Sequence, residues 1–288
     1  MENADIRDPL FRQAVEAIDS GNITLLESLL AAHPQLVRDR LSLPEGGYFR
    51  DPYLLWFVAD NPIRVEKLAV NILDITHSLV ALVKREAPDS AEEQLGYALA
   101  LVATGRIPRE CGVQIDMIDL LIDAGAKPGD GLGALAHGNI AAAERLLERG
   151  GELSLTVAVC LERMNDVERL VHSAGPDERL VALTAAGFYG KPDMISFLLR
   201  MGAEPNGYPA NNRGFHSHAT PLHQAVCSGS LDSVKLLVEA GARLDVPDKI
   251  YNGTPLDWAE YMQREEGYDE TARKNFARIE DYLRGKRH

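Results

Sequence analysis

Three histidines offer the chain's most suggestive chemistry. His216 and His218 bracket Ser217, and His223 follows five residues later. Imidazole nitrogens at such spacing are ligands that zinc accepts. No Asp or Glu lies inside the motif to complete a catalytic set, and His216 and His218 precede a helix on an extended loop. The expectation is no bound metal, with a His216–His218 site as the alternative. There is no Gly-rich phosphate loop, no nucleophile elbow and no His-Glu-x-x-His helix. Asp116, Asp119 and Asp123 recur at helical spacing and read as a solvated helix face. Asp60, just after Ala59, reads as turn chemistry near a helix end. A non-enzyme without a cofactor is expected.

Three cysteines, Cys111, Cys160 and Cys227, lack metal-like spacing, and their odd number argues against a disulfide framework. Cys160 and Cys227 close equivalent Ala-Val-Cys phrases and read as small buried hydrophobes on helices. A reducing cytoplasm is the expected compartment. The first residues have neither a basic start nor an apolar run, unlike a signal peptide. No segment approaches the roughly 18 apolar residues of a membrane span.

The charge balance narrows the partners. Asp and Glu number 43 against 30 Lys and Arg, a net charge of −13. Such a surface repels nucleic acid and anionic membranes, leaving an unknown protein as the expected partner of a monomeric chain. Hydrophobic residues at 45% and charged residues at 25% fit an ordered protein, while 6% aromatics fit small, closely packed helices.

The elements that carry these residues recur. Thr220-Pro221-Leu222-His223-Gln224-Ala225 and Thr254-Pro255-Leu256-Asp257-Trp258-Ala259 repeat one phrase 34 residues apart. A unit recurring at that period signals stacked repeats. Thr supplies an N-cap, and Pro sits at the first helical position, where a missing N–H costs nothing. The first phrase continues through Leu236-Leu237-Val238-Glu239-Ala240-Gly241-Ala242. Similar helix ends occur at Leu121–Ala126, Leu146–Gly151, Leu170–Gly175 and Leu198–Ala203, with weaker copies near Leu29 and Leu79.

These residues resemble the ankyrin repeat. The resemblance implies an all-α, ankyrin-like helical solenoid of seven or eight irregular repeats over 1–288, with an N-terminal cap repeat at 11–40 and a C-terminal cap at 254–288. It further implies that His223 bridges neighbouring loops, with Asp257 replacing it in the next unit. Taking Leu29, Leu79, Leu121, Leu146, Leu170, Leu198 and Leu237 as equivalent gives intervals of 24 to 50 residues. Repeats over 131–177 are therefore expected to lack projecting fingers, and insertions to fall near 38–70, 83–114 and 203–219. A last helix near 270–283 should turn Phe276, Ile279, Tyr282 and Leu283 inward.

Four longer phrases are similar to a group of bacterial ankyrin-repeat proteins to which no reaction is attached. They are Gly47–Ala59, Leu101–Gly105 followed by Gly112-Val113-Gln114, Gly214–Val226 and Asp248–Glu260. The chain departs from that group at Leu54-Leu55-Trp56, where relatives tend to carry Leu-Leu-His.

The resemblance implies non-catalytic protein–protein recognition through a concave face and projecting loops. The expected contacts are Tyr48, Arg50, Tyr208, Asn212, Arg213, Phe215 and Tyr251. Trp56 and Phe57 are expected in the core. The alternative is a small-molecule or metal-binding protein, or a weak enzyme, using the 203–219 loop.

Overall fold

The computed structural model describes residues 6–43, 47–210 and 215–286. Among them every regular element is helical. The chain divides into two compact units, Met1–Glu152 and Leu153–His288. Each holds four helical pairs among its described residues, an ankyrin-like arrangement of inner and outer helices.

In the first unit, α1 (Pro9–Ser20) pairs with α2 (Ile23–Ala32). Asp8 starts α1 by accepting the Leu10 and Phe11 N–H groups, and Gly21 ends it at φ 75°. A Cβ at Gly21 would lie 2.6 Å from Asn71 Oδ1, so this turn needs glycine for both shape and space. The short α3 (Gln35–Arg38) follows.

The next inner element is a 3-10 helix, Leu54–Ala59, whose six apolar residues are all buried among α1, α4 (Ile72–Glu86) and α5 (Ala91–Thr104). It pairs with α4. α5 pairs with α7 (Gln114–Asp123) across the one-turn α6 (Arg106–Glu110). The last pair is α8 (Leu132–Ala136) and α9 (Ile140–Glu148).

Side-chain amides bond the end of one inner helix of this unit. The last carbonyls of α5 lack helical partners. Asn61 donates to Leu101 O at 3.0 Å, Gln114 to Val102 O at 2.9 Å and Asn139 to Ala103 O at 2.8 Å. Asp60, at φ 44°, accepts backbone N–H groups from Arg64, Val65 and Glu66. The Arg64 guanidinium is buried against Asp19 at 2.8 Å and lies over the Phe57 ring.

The second unit pairs α10 (Leu155–Cys160) with α11 (Met164–Val171), and α12 (Pro176–Phe188) with α13 (Pro192–Arg200). It continues with α14 (Pro221–Cys227) and α15 (Leu231–Glu239), then α16 (Pro255–Arg264) and α17 (Glu270–Lys286). Inner helices α12 and α14 approach so closely that a Cβ at Gly187 would lie 2.7 Å from Pro221 O. Arg179 joins two outer helix ends, donating to Met201 O at 2.9 Å and Val171 O at 3.1 Å. α17 buries Phe276, Ile279 and Leu283 and turns its charges outward.

One helix ending recurs across both units. Ala126, Gly151, Ala203 and Ala242 each donate an N–H to the carbonyl five residues earlier, on Leu121, Leu146, Leu198 and Leu237. The residue between, a glycine at positive φ, closes a Schellman turn. Two of the aligned positions shift by one residue. Leu29 and Leu170 are half-buried, while Leu30 and Val171 occupy the core, so register follows burial rather than the Leu-Leu spelling. No described helix is long and apolar enough to cross a membrane.

Candidate functional site

The second unit carries the His216–His223 motif, and its geometry gives the three imidazoles different surroundings, although the His216 and His218 rings meet edge to face at 6.0 Å. His223 is fully buried at the third position of α14. Its Nδ1 lies 3.3 Å from the Thr220 backbone N–H and its Nε2 lies 3.0 Å from Gly253 O. An amide only donates and a carbonyl only accepts, so the ring is neutral with its proton on Nε2. Burial lowers its pKa from the ordinary value, with the Gly253 bond and the Asp248 charge opposing. With both nitrogens engaged, His223 belongs to the scaffold.

His216 and His218 are placed by aromatic packing. His216, at φ 40°, lies 4.5 Å from the Phe188 ring and 4.8 Å from Phe215. The His218 ring is 6.1 Å from Trp258, and burial lowers its pKa against the opposing Asp248 charge. Among the described residues no group of three His, Cys, Asp or Glu side chains is placed to hold a metal ion.

Phe215 sits differently from its expected place as a contact. It is fully buried, edge-on to Phe188 at 5.8 Å, and so packs into the core. Tyr208 is also turned to internal use. Its hydroxyl donates to Pro247 O, and its ring lies under the Lys249 ammonium at 4.2 Å. Asn206 ties the same segment to the next one through Gly241 O and the Arg243 N–H, each at 2.9 Å. Asn212 and Arg213 lie outside the described residues.

The neighbouring finger exposes what the 203–219 loop buries. Asp248 Oδ1 accepts the Ile250 N–H at 2.8 Å and the Tyr251 N–H at 2.7 Å. Its Oδ2 accepts the Gly253 N–H at 2.9 Å and the Trp258 indole N–H at 3.0 Å. Burial alone would raise this carboxyl, but the four donors outweigh it and draw its pKa down to about 2. The turn so fixed presents Ile250 at 61% and Tyr251 at 79% exposure. Tyr261, on the following α16, is 60% exposed.

The first unit holds the other expected contacts. Tyr48 is 61% exposed and donates to Asn61 Oδ1 at 2.8 Å, while its carbonyl accepts from the Tyr97 hydroxyl. Arg50 is exposed beside Asp51 at 3.4 Å. Beneath them Trp56 is buried, donating to Gln94 O at 3.1 Å and packed at a tilt with its ring centre 4.3 Å from that of Tyr97. The Arg40 guanidinium covers Tyr53 at 4.3 Å and Trp56 at 5.3 Å. The acidic stripe of α7 is only partly solvent-facing, since Asp119 pairs with Arg145 at 2.7 Å and Arg149 at 2.6 Å.

The sequence marks Asp248 to Asn252 as an irregular loop leading into its repeat, but Tyr261 and Phe188 went unremarked as site-forming residues. Asp248 left a local signal, an Asp in a loop whose side chain can close a turn on the N–H two residues on, here Ile250. Phe188 left none, because its contacts with Phe215 and His216 join different repeats.

Helical pairs and Schellman ends, with capping boxes at Thr220/His223 and Thr254/Asp257, define a repeat protein. The family model described as ankyrin repeats (3 copies) matches residues 111–248 and 182–269, together more than half of the chain. The cyclin-dependent kinase 4 inhibitor B of Rattus norvegicus is 32% identical over 134 residues, covering 44% of this chain and 94% of the relative. The chain belongs to the ankyrin-repeat family.

Proposed function

We propose that the chain is a non-catalytic, cytoplasmic protein-binding module that acts as a monomer. Exposed aromatic side chains on hydrogen-bonded loops carry this reading, Tyr48 in the first unit and Tyr251 in the second. Aromatic groups on pre-ordered loops lose little entropy on binding and are common anchors of protein interfaces. The similar rat protein is named as an inhibitor of a kinase, that is, for an action on another protein. The negative charge favours a protein over nucleic acid as the ligand. A bacterial source fits the longer resembling phrases.

Tyr48, Arg50 and Tyr251 are the proposed contacts, with Asn212 and Arg213 added from their place in the 203–219 insertion. Tyr208 and Phe215 would act indirectly, through the contacts that hold them to Pro247, Lys249 and Phe188.

The experiment places a photo-crosslinking benzophenone at position 48, 251 or 239. Glu239 is an exposed control on outer helix α15. In cells, adducts to one specific protein are expected from positions 48 and 251 and not from 239. Equal adducts at all three, or none at 48 and 251, would overturn the reading.

A further inference from the structure

The finger leading into α16 carries a chemically reactive pair. Asn252 is followed by Gly253, and a second Asn-Gly pair, Asn206-Gly207, lies in the preceding insertion. An asparagine before glycine readily loses its side-chain amide, because glycine, lacking a Cβ, leaves the following backbone nitrogen open to approach. The fold treats the two pairs differently. Asn206 has its amide held at both ends, Nδ2 donating to Gly241 O and Oδ1 accepting the Arg243 N–H, each at 2.9 Å. The Asn252 side chain is exposed and makes no hydrogen bond among the described residues.

The turn itself selects this pair. Asn252 sits at φ 57°, a left-handed conformation that asparagine and glycine adopt most readily. A Cβ at Gly253 would lie 3.2 Å from Trp258 Cδ1 and 3.3 Å from Asp248 Oδ2, so glycine fits best there. Gly253 also locks the finger. Its N–H donates to Asp248 Oδ2 at 2.9 Å, and its carbonyl accepts the Asp248 N–H at 2.8 Å and the His223 ring N–H at 3.0 Å. These bonds hold Gly253 N in the turn, whereas attack requires it to swing toward the Asn252 side chain.

We propose that Asn252 is a deamidation site whose conversion unlocks the finger displaying Ile250 and Tyr251, at a rate that Asp248 sets by clamping Gly253. Gly253 N bonds to Asn252 Cγ and the Cγ–Nδ2 bond breaks. The amide leaves as ammonia, taking up through water the proton that Gly253 N gives up. Water then opens the succinimide at either carbonyl, leaving aspartate or isoaspartate. Both products place a new negative charge beside Tyr251. Isoaspartate also inserts a methylene into the main chain, which displaces Gly253 from Asp248 and His223 together. The modification stands apart from the protein-binding function proposed above.

The test incubates the full chain at mildly alkaline pH, native and in guanidinium chloride, and follows its peptides by mass spectrometry. Denatured, the two Asn-Gly pairs should convert at similar rates. Native, Asn252 should convert about tenfold faster than Asn206, whose amide must first break its hydrogen bonds. Asp248→Asn should speed conversion at Asn252 about tenfold and leave Asn206 unchanged, which also verifies that the variant is folded. The wild-type Tm should fall as conversion proceeds, while Asn252→Gly, which keeps the left-handed turn, should hold its Tm through the same incubation. Native conversion at Asn252 no faster than at Asn206 overturns the site. No acceleration in Asp248→Asn overturns the clamp, and a wild-type Tm that survives conversion overturns the unlocking.

Discussion

The Trp258 indole donates a 3.0 Å hydrogen bond to Asp248 Oδ2, tying the last finger to the helix that follows it. The same carboxylate closes the turn that displays Ile250 and Tyr251. An asparagine there would set its amide donor against one pair of N–H donors. Asp248→Asn is therefore expected to cost about 2–3 kcal/mol of stability, the range for bonds to a charged acceptor. Urea unfolding followed by tryptophan fluorescence measures it. The Asp248 carboxyl is held at about 2 against an ordinary 3.8. A depressed carboxyl stabilises fully above its unfolded value, so this contribution should persist above pH 3.8 and vanish as pH falls toward 2. Asp248→Asn should lack that part of the acid loss.

His223 provides a second, separable pH dependence. Its neutral ring links Thr220 to Gly253, and burial holds its pKa below the ordinary 6.5. The folded state then binds fewer protons than the unfolded one as pH falls below 6.5. Stability should be complete above pH 6.5 and decline beneath it, with His218 contributing to the same slope. His223→Ala should cost about 2 kcal/mol at pH 7, combining a lost cap with the loss of one of the two hydrogen bonds to Gly253 O, which keeps the Asp248 N–H, and should flatten part of the slope. Chemical denaturation across pH 5 to 8 distinguishes the two effects.

Two helical glycines should respond to alanine with opposite signs. At Gly187 the added methyl meets backbone at 2.7 Å, with Ala225 N at 3.2 Å, so α12 and α14 must separate. The expected loss is about 1–3 kcal/mol, as for other overpacked cores. At Gly96, inside α5, the methyl enters open space. Gly96→Ala should gain about 0.5–1 kcal/mol from helix propensity alone. Thermal unfolding of the two variants checks both signs.

The repeat identity was legible because its signals are local. Thr-Pro caps and Leu-x-x-x-Gly endings are set by hydrogen bonds within a few residues, and sequence displays them directly. The roles of Phe215 and Tyr208 were not, because both look like recognition residues until Phe188, Pro247 and Lys249 come into contact with them. The buried amides Gln94, Gln114 and Asn139 were hidden for the same reason. Each satisfies backbone carbonyls at least nine residues away, and a polar residue alone does not reveal that it is buried. The ankyrin spelling also placed Leu29 and Leu170 one residue away from the core positions that Leu30 and Val171 occupy.

For the 203–219 insertion, Arg213→Ala should weaken partner binding while thermal unfolding stays at the wild-type temperature. Surface substitutions away from packed features typically shift stability by less than about 0.5 kcal/mol, so a binding loss would belong to the interface. Titration of the cross-linked partner against this variant reads it. Unchanged affinity would remove the insertion from the contact surface.

The central claim, that this is a protein-binding module working through exposed side chains on ordered loops, is tested most directly by calorimetric titration. The partner recovered by cross-linking would be titrated into the wild-type chain and into Tyr251→Ala, with Tm recorded for both. The expected result is an affinity loss of about tenfold or more at unchanged Tm, the signature of a truncated interface anchor. Equal affinity of the two proteins, with both fully folded, would contradict it.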